Sequence, residues 1–126
     1  MSDYFLLTYS VNDIGNTDLS KIKTDSVRID IGALKDLSEL EELSDKVHRP
    51  FLSWEKLRNV ETTFKGLIRT NAGSTEEMKR DVIAKVSAVF QEILQAHNAR
   101  ARTTVIHCGL MTESLPDAIE FQVSFS

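Results

Sequence analysis

The chain has 126 residues, 41% of them apolar and 27% charged, and a formal net charge of −4. That composition fits one globular domain and excludes a collagen, a mucin-like stalk and a wholly disordered tail. Cys108 is the only cysteine, which excludes an internal disulfide and a multi-thiolate zinc site, and no apolar run reaches the ~20 residues of a membrane span.

Tyr4–Val11 is apolar and rich in β-formers, and Asn12, Asp13, Gly15 and Asn16 follow it. It predicts a strand. The unbroken run Tyr4, Phe5, Leu6, Leu7 suggests a central strand covered on both faces. Asn12–Asp25 mixes small polar residues with isolated Ile14, Leu19 and Ile22 and reads as a long loop, with at most one helical turn. In Ser26–Ile31, Val27, Ile29 and Ile31 alternate with Arg28 and Asp30, as in a short half-buried strand.

Leu34–His48 then repeats Leu37, Leu40, Leu43 and Val47 at helical spacing among acidic residues. Ser38 and Glu41 have the spacing of a capping box. Pro50 stops that helix, because the residue before a proline avoids helical geometry. Phe51–Leu57 fits either a short strand or a helical turn.

Val60–Thr70 alternates as a strand. Phe64, Gly66 and Ile68 share one face, and Lys65, Leu67 and Arg69 share the other. Gly66 on the buried face marks a bulge or a close backbone approach. Asn71-Ala72-Gly73 turns the chain, and Ser74 with Glu77 forms a capping box. Met78, Val82, Val86, Phe90, Ile93 and Leu94 give the following helix its apolar stripe as far as about His97. Arg102–Leu110 predicts a strand. A last strand alternates Ile119, Phe121, Val123 and Phe125 with polar residues, and the two are expected as a hairpin or as neighbouring strands.

These elements predict an α+β two-layer sandwich, ferredoxin-like in the split βαβ sense, with two helices on one face of an antiparallel sheet. The other face is bare. Leu67, with Phe5 or with Leu7 and Tyr9, would build an apolar patch there that favours a homodimer.

Phe5-Leu6-Leu7-Thr8-Tyr9-Ser10 opens the chain as a short apolar strand, and Leu57–Gly66 is a basic, polar segment leading into a Thr-Phe-Lys-Gly strand. With the order of elements, these residues resemble the small ferredoxin-fold CRISPR adaptation subunit and the virulence-associated protein D-like group. The resemblance implies a dimeric ferredoxin fold. It also implies metal-dependent phosphodiester cleavage by an acidic residue ending the first strand. The chain departs from that pattern: Ser10 stands there, and Asp13 comes three residues later. Asn12–Gly32 is also longer than the family's pattern.

Charge is uneven. Residues 1–45 hold four basic and ten acidic side chains, whereas residues 46–102 hold eleven basic and six acidic ones. Arg58, Lys65, Arg69 and Arg102, with Trp54 as a stacking platform, are the candidate nucleic-acid contacts. Solvated faces summing unevenly would give the same count. Asp13 is the one candidate catalytic residue, for a divalent cation. His48, His97 and His107 have no ligand at metal-like spacing, and no metal or cofactor is expected. Adjacent strand residues point to opposite faces, so His107 and Cys108 do not form a dyad.

The first expectation is a non-enzymatic, homodimeric binding module engaging a macromolecule, either a protein or a nucleic acid. The alternatives are a small metal-dependent nuclease of toxin type and a small-molecule sensor. Met1–Leu7 carries Asp3 and no basic residue, unlike a signal peptide, so the expected location is cytoplasmic, away from membranes.

Overall fold

A computed structural model describes residues 1–126. The first strand, β1 (Ser2–Asp13), alternates strictly, burying Asp3, Phe5, Leu7, Tyr9 and Val11. Tyr4, Leu6, Thr8 and Ser10 face outward, so this central strand is covered on one face only, not on both. Helix α1 (Asp18–Gly32) follows. The Thr17 hydroxyl accepts from the Ser20 amide, and the Ser20 hydroxyl accepts from the Thr17 amide. That reciprocal cap starts the helix where a loop was expected.

The expected strand Ser26–Ile31 lies inside α1. Its alternation is misleading, because Ile29 points to solvent while Val27 and Ile31 are buried. The core side of α1 is half polar (Ser20, Thr24, Val27, Ile31), and its outer side exposes Leu19, Ile22 and Ile29. The predicted helix over Leu34–His48 is in fact two single turns, α2 (Leu37–Leu40) and α3 (Asp45–His48). The Asp36 carboxylate caps α2 through the Glu39 amide, in place of the Ser38–Glu41 box. Leu40 and Val47 each bury their own turn against the core.

Phe51–Lys56 is a strand, β2, and Thr63–Arg69 is β3. Helix α4 (Thr75–Ala96) has the expected box at Ser74 and Glu77. Its C-cap is His97, and the next residue, Asn98, has a left-handed φ of 48°. The Ala99 amide donates back to the Leu94 carbonyl and the Asn98 amide to that of Gln95, a Schellman closure. β4 (Thr104–Thr112) and β5 (Ile119–Val123) form the expected hairpin.

The sheet is antiparallel, in the order β2-β3-β1-β4-β5. α1 and α4 pack together over one face, and α1 also touches β1 and β4. Between the layers Tyr9 stacks on Phe64 at 5.5 Å, and Trp54 meets Phe64 at 4.5 Å. The Trp54 indole donates to the Leu34 carbonyl, which ties the α1–α2 link to β2. That link covers the β2 edge, where the Lys56 amide donates to the Lys35 carbonyl and unpaired strand groups would otherwise invite another chain. The β2 register shifts between Phe51 and Ser53, opposite Ile68 and Leu67, whereas Gly66 pairs regularly with Trp54 and marks a close approach: any β-carbon there would run into the Ser53 carbonyl and the Phe5 ring. No helix is long and apolar enough to cross a membrane.

Candidate functional site

Neither α1 nor α4 covers the second face of the sheet. The parity of β1 decides what lies there. Phe5, Leu7 and Tyr9 point into the core and contribute nothing to the bare face, contrary to expectation. Tyr4 and Leu6 do instead. Tyr4 is opposite Leu67, and Leu6 is opposite Met111, so two cross-strand pairs make one apolar patch over β3, β1 and β4. Tyr4 is 67% exposed and Met111 55%.

Charges flank this patch unequally. On the β3 side Lys65 pairs with Leu6, and Arg69 with Ser2. On the far side stand Glu113, whose carboxylate accepts from the Tyr4 amide at 2.9 Å, and Glu120 on β5. Glu55 on β2 lies 3.8 Å from Lys65, in an exposed pair that contributes little.

Farther along the same face the sheet turns polar. Ser10, His107 and Gln122 align across β1, β4 and β5, and so do Thr8, Gly109 and Glu120. They line an open groove of about 590 Å³. Cys108 backs this groove from the core side, and burial pushes its thiol up to about 12. His107 and Cys108 thus lie on opposite faces, as strand geometry requires.

The candidate nucleic-acid residues do not form one surface. Lys65 and Arg69 share the bare face of β3. Arg58 stands in the β2–β3 turn, and Arg102 in the turn before β4. Trp54 cannot stack on a base, because it is 2% exposed and its indole N–H is engaged inside the fold.

Asp13 has a local task. Its carboxylate accepts from the Ser20 hydroxyl at 2.7 Å and from the Asn16 amide at 3.2 Å. These bonds, that from Ser20 foremost, hold its carboxyl below the ordinary aspartate range. No group of three His, Cys, Asp or Glu residues is arranged to share a metal ion. The two helix-end histidines find carboxylates: His97 meets Asp30 at 2.6 Å and His48 meets Asp45 at 3.3 Å.

The chain matches no protein-family model, no curated protein and no solved structure.

Proposed function

We propose that the chain is a ferredoxin-like binding module without chemistry of its own, and that the macromolecule it engages first is a second copy of itself. The observation that carries this is the apolar cross-strand patch of Tyr4, Leu6, Leu67 and Met111 on a sheet face that no helix covers. Exposed apolar surface gathered in one place and rimmed by charge is the usual mark of a docking site.

The distribution of charge favours a second copy over an unrelated partner. Basic Lys65 and Arg69 lie to one side of β1, and acidic Glu113 and Glu120 to the other. A two-fold axis along β1, in the plane between two sheets, sets the β3 side of each copy over the β4–β5 side of the other. Basic flanks then meet acidic flanks twice, as an isologous interface requires. We read the order of the strands as a split βαβ arrangement, which fits the same association. The strand order β2-β3-β1-β4-β5 puts β3, β1 and β4 in the middle of the sheet, so the apolar patch lies on its central strands.

Size-exclusion chromatography with light scattering tests this. Twice the chain mass is expected at micromolar concentration. Leu6→Glu with Met111→Glu should return the mass to that of one chain while the circular dichroism spectrum is unchanged. A wild-type protein that stays at 14.2 kDa at every concentration up to about 1 mM overturns the proposal.

A further inference from the structure

We infer that a bowl at the end of the sheet where β3 leaves and β2 enters is a binding site for a phosphate-bearing anion, which shares Arg69 with the rim of the proposed dimer face. Lys46, Arg49, Pro50, Arg69, Asn71 and Lys85 line it, around a volume of about 610 Å³. The lining holds four cations, no carboxylate and no large apolar side chain. A protein with an overall charge of −4 has gathered them from α3, the turn after it, β3 and α4.

The cations are restrained. The Lys85 ammonium donates to the Arg69 carbonyl and to the Asp81 carboxylate, both at 2.8 Å. The Arg69 guanidinium uses its Nε on the Arg49 carbonyl at 3.4 Å, which leaves its terminal nitrogens unengaged. Asp81 offsets Lys85, and Asp45 lies 3.6 Å from Arg49. Lys46 and Arg69 have no carboxylate within 4.0 Å.

Like charges held together repel unless an anion joins them. The open rim admits a phosphate group, and the fork of an arginine fits its oxygens in pairs. The polar, shallow walls offer nothing to an apolar or aromatic body. The chemistry selected is therefore that of a phosphate group, free or at the end of a nucleotide.

The test is a titration of the full chain, ¹⁵N-labelled, in phosphate-free buffer of low ionic strength. Pyrophosphate should give saturable amide shifts confined to residues 46–49, 69–71 and 85. Lys46→Gln with Arg69→Gln should weaken binding about tenfold or more. Lys21→Gln, on the outside of α1, should leave it within about twofold, because its charge is remote and screened. A ¹⁵N spectrum of each variant that keeps the wild-type dispersion shows that the fold is intact.

The source is distinguished by two further arms. A tetranucleotide carrying a 5′-phosphate should bind more tightly than its 5′-hydroxyl form if the group comes from a nucleotide end. Inorganic phosphate matching the phosphorylated tetranucleotide points to a free anion. Either result supports the site. Shifts that do not saturate by about 20 mM pyrophosphate overturn it, because such affinity is below any functional range. Equal weakening by the Lys21 variant also overturns it.

Discussion

The hydroxyl of Thr24 on α1 and the hydroxyl of Thr104 on β4 meet at 2.8 Å between helix and sheet, where neither residue reaches solvent. Each is the other's partner across 80 residues of chain. Deleting one hydroxyl strands the other in a dry layer, at a cost of about 1–3 kcal/mol. Thr24→Val and Thr104→Val should each lose that much in urea unfolding. The double variant should recover most of the loss, because an apolar pair of the same shape leaves nothing unsatisfied. Losses that simply add would show that the two hydroxyls are not coupled.

Gly66 is fixed by a neighbour rather than by its own backbone angles. A β-carbon there would strike the Ser53 carbonyl, which is main chain and cannot swing aside, and would reach within 2.8 Å of the Phe5 ring. Gly66→Ala should therefore destabilise the protein by about 1–3 kcal/mol, the usual cost of overpacking. At Gly32 an added β-carbon meets only the Lys56 ammonium, at 3.7 Å. Gly32→Ala is the control, expected to unfold near the wild-type urea midpoint. If the two variants unfold alike, steric contact is not the reason for glycine at position 66.

This glycine, β3, α4 with its Ser74–Glu77 box, and the β4–β5 hairpin are all legible in the sequence. Their apolar positions keep one period, and their caps and turns agree with it. α1 is hidden because its polarity is partly inverted. Ser20 and Thr24 are buried while Leu19, Ile22 and Ile29 face water. With the helical stripe blurred, the local alternation Val27-Arg28-Ile29-Asp30-Ile31 passes for a strand. The parity of β1 is hidden for another reason. Four consecutive apolar residues, Tyr4 to Leu7, fit either face equally well, and only pairing with Leu67 and Met111 decides it. The same limit applies to the basic bowl. Arg69 is visible as a face residue of β3, but Lys46 and Lys85 become its neighbours only through the packing of α3 and α4.

Two carboxylates make stability depend on acid. Asp13 is held below its ordinary range chiefly by the Ser20 hydroxyl, and Asp36 chiefly by the Ser38 hydroxyl and then the Glu39 amide. A carboxyl whose folded value lies below its unfolded value stabilises the fold above the unfolded value, about 3.9 for aspartate. That contribution disappears as pH falls from there through the folded value. Urea midpoints of the wild type should thus drop on acidification below about pH 4 more steeply than those of an Asp13→Asn, Asp36→Asn double variant. Parallel curves would mean that neither carboxylate is engaged in solution.

Cys108 and His107 are neighbours in sequence and strangers in space. The thiol lies among the core residues Ile106 and Leu110, 5% exposed, and burial pushes it up to about 12. At pH 8 very little of the thiol is then thiolate, the form that attacks a disulfide reagent. Labelling of the native protein should be slow and should accelerate strongly once urea unfolds the chain. His107 projects from the bare face into the polar groove with Ser10 and Gln122. Its replacement by alanine should leave the native labelling rate unchanged, because no imidazole reaches the sulfur. Rapid native labelling that slows in His107→Ala would show a working thiol–imidazole pair. It would also return an enzymatic reading to this face of the protein.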